Sequence, residues 1–106
     1  MPKFLIAASY TSEGAAGIAA KGGTARRDAV NQMISGAGGQ MEAFYFGFGD
    51  VDAFVIAELP SNEAAAGIAL SVNRSGATTV RTVVLLTPEQ MDEAARSAPD
   101  YRAPGG

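Results

Sequence analysis

Residues 40–59 read QMEAFYFGFGDVDAFVIAEL, two apolar runs joined by a short polar turn. Side chains alternate along a strand. In the first run, residues 40–48, Phe44, Phe46 and Phe48 share one face while Ala43, Tyr45 and Gly47 share the other. The second run, residues 53–59, alternates Phe54 and Ile56 with Val55, Ala57 and Leu59. The intervening GDVD, residues 49–52, is too short for a crossover helix, so the spacing predicts an antiparallel hairpin. What flanks that hairpin decides the fold.

Upstream, KFLIAASY (residues 3–10) is a short apolar run that suggests a first strand. TSEGAAGIAAKGG can open a helix at Thr11 or Ser12, weakened by its glycines, and Gly22–Gly23 look like a break. Thr24 can cap a second helical stretch, ARRDAVNQMIS, in which Ala25, Ala29, Val30, Met33 and Ile34 make one stripe. The run GAGG, residues 36–39, stops it. Downstream, Pro60 ends the second hairpin strand and Ser61 can cap NEAAAGIALSVNR, which Gly76 stops. Thr78 to Leu86 reads as a fourth strand, rich in Thr, Val and Leu. Thr87, Pro88 and Gln90 then fit an N-cap, a first helical position and a capping box. They open a short last helix, residues 88–97, with Met91, Ala94 and Ala95 on one face.

The order is βαββαβ plus a short C-terminal helix, an α+β, ferredoxin-like pattern. Right-handed crossovers put both main helices on one face of a four-stranded antiparallel sheet. We expect a single domain over residues 1–97 and a loose tail over 98–106. Both faces of the sheet are mostly apolar, as strands one, three and four show, whereas a sheet with one solvated face should alternate apolar with polar. Two helices cover one face only, and a large bare apolar patch is rare on a monomer. The expected cover is a second copy of the chain, sheet against sheet. The alternative is that the C-terminal helix folds back over the open face.

Composition bounds the chemistry. Hydrophobic residues make up 47% of the 106 and charged residues 18%, a globular balance. A net charge of −3 argues against nucleic acid, because base-stacking aromatics such as Phe44, Phe46 and Phe48 would need basic company. No apolar run approaches the roughly 20 residues of a membrane span, and the N-terminus lacks a signal peptide's longer apolar core. The chain has no cysteine and hence no disulfide or thiolate site. These features are those of a cytoplasmic protein. It also has no histidine, which removes the usual general base and the Ser-His-Asp arrangement. Glu13, Asp50 and Asp52 match no calcium-loop spacing, and GAGG is followed by no Gly-Lys-Ser/Thr, so neither a metal nor a cofactor is expected.

Three segments together resemble the GYD domain family: YTSEGAAGIAAKGGTARRDAV, GGQMEAFYFGFGDVDAFVIAELPSNEAAAGIAL and VRTVVLLTPEQM. Tyr10, Thr11 and Gly14 stand where the family has Tyr-Thr and a following glycine. Lys21 with Arg26 or Arg27, Gly38–Gly39 and Val80-Arg81-Thr82 match its later features. The name motif is glycine, one residue, tyrosine, aspartate; here Gly49 and Asp52 are kept and Val51 replaces the tyrosine. The resemblance spans about residues 3–91. It implies an architecture similar to the dimeric α+β barrel proteins more than it implies an activity.

The expected site lies between sheet and helices or at the dimer seam. Its polar groups are Asp52 as proton acceptor, Arg81 as oxyanion or anion holder and Tyr10 to orient a ligand, with Thr11, Phe46 and Gly49 beside them. Its ligand is a small apolar or aromatic compound. Each residue has a plainer reading. Asp50 and Asp52 suit a turn. Arg81 interrupts an apolar strand and suits a salt bridge with Asp52, Glu58 or Glu42, or a wet strand edge. Tyr10 suits a rim position. Lys21, Arg26 and Arg27 suit a solvated helix face. Two functions follow: a ligand-binding or cofactor-independent catalytic dimer, and a non-catalytic assembly or regulatory protein.

Overall fold

The computed structural model describes residues 1–106. The elements are β1 (Lys3–Tyr10), α1 (Ser12–Lys21), α2 (Gly23–Gly36), β2 (Gln40–Phe46), β3 (Ala53–Glu58), α3 (Asn62–Arg74), β4 (Thr78–Leu85) and α4 (Pro88–Arg96). The strands form one antiparallel sheet in the order β2-β3-β1-β4, the ferredoxin-like arrangement. Thr11, Ser61 and Thr87 cap α1, α3 and α4, each side chain accepting from the backbone amide three residues on. Gln90 returns the bond to Thr87 and completes the capping box. Gly38 and Gly76, at φ +83° and +76°, make the turns out of α2 and α3 that a side chain would strain.

The strand register fixes the two faces. Phe4 lies opposite Ala57 and Val84, Ile6 opposite Val55 and Thr82, and Ala8 opposite Ala53 and Val80. These lie on the side of the sheet that the helices pack against, with Thr82 and Val84 of β4 beyond their cover and exposed. Phe4, Ile6, Val55, Ala57 and Leu59 pack with Val30 and Ile34 of α2 and Ala65 and Ile68 of α3. Phe4, Ile34 and Leu59 are the largest side chains wholly removed from water, and each contributes roughly 1.5–3 kcal/mol by burial. Gly39 seats β2 against this core: a Cβ there would overlap the Glu58 carbonyl oxygen and stand 2.7 Å from Leu59 Cδ2.

On the opposite face Leu5 lies between Ile56 and Val83, and Ala7 between Phe54 and Arg81. Phe54 and Val83 are 40% and 49% exposed, so this apolar face is bare in the single chain. The C-terminal helix does not take that place. No residue of α4 is buried. The radius of gyration of 16.8 Å exceeds the roughly 13 Å of a compact chain of this length, as an outlying arm requires.

The first hairpin strand ends at Phe46, two residues earlier than alternation suggests. Gly47 N–H donates to Asp52 O at 2.8 Å and closes the hairpin there, leaving Phe48 in the turn and fully exposed. β2 also carries a bulge between Met41 and Ala43. It is next to this bulge that Glu42 meets Lys3 at 2.9 Å.

Candidate functional site

The ends of β1 and β4 meet the helices at one junction. Thr11 N–H and Thr11 Oγ1 both donate to Ala77 O, at 3.0 and 3.2 Å. The same hydroxyl accepts from Gly14 N–H and starts α1. A Cβ on Gly14 would overlap the Ala77 carbonyl oxygen, so only glycine lets the first turn of α1 lie this close to β4. Tyr10 and Thr78, paired across β1 and β4, both point to the helix side here. Thr78 is the one buried polar residue of the chain.

Three cavities converge on this junction. The first, about 350 Å³, lies between α1, the start of α2 and the strand ends, with Tyr10, Glu13, Ile18, Lys21, Arg26 and Thr78 in its wall. The second, about 280 Å³, lies between α2 and the end of α3. The third, about 20 Å³, reaches between sheet and helices among Ile6, Phe44, Val55 and Ile68, with room for about one water. Arg26 and Thr78 line all three, and Tyr10 lines the first and third.

Arg26 departs from the solvated helix face that its neighbours suggest. Arg27 is exposed and pairs with Asp28 at 3.2 Å. Arg26 is half-buried, its guanidinium 5.6 Å from the centroid of the Tyr10 ring, and its Nε is fully buried with no acceptor. The cause lies in helix phase. Arg26 precedes Val30 by four residues and Met33 by seven, which puts it on the inward stripe of α2. That phase was the signal available in the sequence.

The other expected residues lie elsewhere. Asp52 Oδ2 accepts from Tyr10 N–H at 2.9 Å, and Asp52 N–H donates to Ala8 O at 2.9 Å. The carboxylate therefore extends the β1–β3 ladder by one bond and fixes the end of β1 on which Tyr10 sits. Ser9 Oγ donates to Asp50 O at 3.0 Å and holds the same turn to β1. Arg81 is exposed on β4 across from Ala7, on the bare face, with no carboxylate in ion-pair range. Asp52 and Arg81 line none of the three cavities, and Arg81 is on the other side of the sheet from Tyr10. Phe46 packs edge-on against Phe44, centroids 5.0 Å apart, and against Gly23, where a Cβ would stand 2.9 Å from Phe46 Cε2. Thr11 belongs to the junction, and Gly49 is exposed in the turn with open space around it. Glu13 is the only carboxylate in the cavity walls, and no three acidic residues converge.

Fold and cleft together define a ferredoxin-like α+β domain with an arginine–tyrosine pair between sheet and helices. The chain belongs to the GYD domain family, whose match runs over residues 4–95. No curated protein and no solved structure matches it. No helix is long and apolar enough to cross a membrane.

Proposed function

We propose that the chain is a small-molecule-binding protein that works as a dimer, with the ligand held in the cleft at Tyr10, Arg26 and Thr78. The supporting observation is the convergence of three cavities on Arg26 and Thr78, two of them also lined by Tyr10. Small-molecule sites are largely apolar with a few converging polar groups, and run from roughly 300 to 1,000 Å³. The first cleft meets the lower bound. Asp52 serves it indirectly, by holding the end of β1 that presents Tyr10.

The dimer is a second copy packed on the bare sheet face. Leu5, Phe54, Ile56 and Val83 form its apolar middle, and Lys3, Glu58 and Arg81 place charges of both signs around them. A two-fold axis lets such a face meet itself. Arg81 then lies at the seam, not in the cleft. The assembly reading shares this dimer and differs only in leaving the cleft empty.

Native mass spectrometry on freshly purified protein separates these outcomes. A dimer with retained extra mass supports binding. A dimer that gains no mass with any small molecule offered supports assembly alone. A monomer removes the sheet-face argument. Replacing Arg81 by methionine should shift the subunit count and leave ligand retention per chain unaltered; the reverse would put Arg81 in the site.

A further inference from the structure

The cleft holds a cation without a counterion. The two ion pairs of the chain are Lys3 with Glu42 and Arg27 with Asp28, so the carboxylate nearest along α2 is already engaged. The Arg26 guanidinium lies over the Tyr10 ring with its Nε withdrawn from water and unpaired. A partly desolvated cation attracts an incoming anion more strongly than a solvated one, because the effective dielectric around it is lower. A ligand in either of the two larger cavities meets this residue.

The wall of the largest cleft narrows the choice of anion. Lys21 and Arg26 are set against Glu13, which leaves one net positive charge and suits a monoanion. A dianion would exceed the net charge of this wall. Ile18 and the neighbouring alanines make much of the remaining wall apolar, so the body of the ligand need not be polar. A guanidinium fork matches a planar carboxylate with two parallel hydrogen bonds.

We propose that this cleft binds a small monocarboxylate with an apolar body, the carboxylate on the exposed side of the Arg26 guanidinium and the body along α1 and α2. The inference rests on the binding reading above and adds the chemical class of the ligand.

The test is an NMR titration of the ¹⁵N-labelled full chain with benzoate, hexanoate, neutral benzamide and inorganic phosphate. Benzoate and hexanoate should move the amides of Tyr10, Gly14 and Ala77 to saturation. Replacing Arg26 by methionine should weaken them about tenfold or more, the loss expected for hydrogen bonds to a charged group. R27M, on the same helix but facing water, should bind as the parent does. R26K keeps the charge and loses the fork, and should weaken binding too; it carries the test if R26M does not fold. Benzamide binding as tightly as benzoate at these amides overturns the carboxylate assignment and leaves the binding reading standing. Phosphate binding as tightly as both carboxylates reduces the site to a simple anion site and overturns the proposed class. No shifts with any probe overturn the proposed class, and the binding reading then stands or falls on the mass retained in the native spectrum.

Discussion

Two glycines of α1, three residues apart, should respond to the same substitution with opposite signs. Alanine is favoured over glycine in a helix by about 0.8–1 kcal/mol. Around Gly17 there is open space where a Cβ would go, so Gly17→Ala should gain up to about 1 kcal/mol and raise Tm by roughly 4 °C. At Gly14 the same Cβ would overlap the Ala77 carbonyl oxygen and stand 3.3 Å from Tyr10 Cβ. Relief requires α1 to move off β4, which stretches the two bonds from Thr11 to Ala77 O, now 3.0 and 3.2 Å. Two such bonds are worth about 2 kcal/mol together. Overpacking adds about 1–3 kcal/mol, and propensity returns about 1. The net loss for Gly14→Ala is about 2–4 kcal/mol, a fall in Tm of roughly 8–16 °C. Differential scanning calorimetry, with urea unfolding as a second probe, reads both variants. If Gly14→Ala proves as stable as Gly17→Ala, the close approach of α1 to β4 is wrong, and with it the shape of the cleft.

Asp52→Ala should lower stability by about 1–2 kcal/mol through loss of the bond to Tyr10 N–H, with Asp52→Asn recovering about half. Thermal unfolding checks this, and an unchanged Tm in the alanine variant would deny Asp52 its structural role. Phe54→Arg places a charge in the middle of the bare face, so analytical ultracentrifugation should show monomers while far-UV circular dichroism stays as in the parent. A dimer that persists would mean that another surface associates. Lys3 is held above its ordinary value of 10.5, chiefly by its hydrogen bond to Glu42, which outweighs the opposing desolvation, with weaker support from the charges of Glu42 and Glu58. A raised folded value stabilises fully below pH 10.5 and less as pH climbs through it. The Tm difference between the parent and Lys3→Met should therefore be constant near neutrality and shrink above pH 10.5. A gap that stays the same there would mean that the pair contributes nothing through charge.

Local rules carry most of the fold. Thr11, Ser61 and Thr87 announce their helices because a hydroxyl three residues before an orphan amide has one obvious use. Alternation in β1, β3 and β4 shows two apolar faces, and the structure leaves one of them bare. Phe48 shows where such rules stop. It continues the phenylalanine pattern, yet the hairpin closes at Gly47 through a bond that alternation does not encode. The site is harder. The partner of Asp52 is 42 residues away, and the contact exists only in the register that sets Ala8 opposite Ala53. Arg26 was legible in helix phase, but its position over Tyr10 depends on how α2 crosses the end of β1. Arg81 looks alike in sequence, a charge among apolar neighbours, and lies on the other side of the sheet.

The nine residues of α4 have a consequence for how the chain can be watched. Isolated helices shorter than about 12–15 residues are marginal in water, and the capping box is the chief local support of this one. Its backbone amides should trade hydrogen for deuterium almost as fast as an unfolded peptide, while those of β1 and β3 stay protected up to global unfolding. Slow exchange in α4 would report that something has settled on it, and the arm thus serves as a built-in indicator of contact with another molecule.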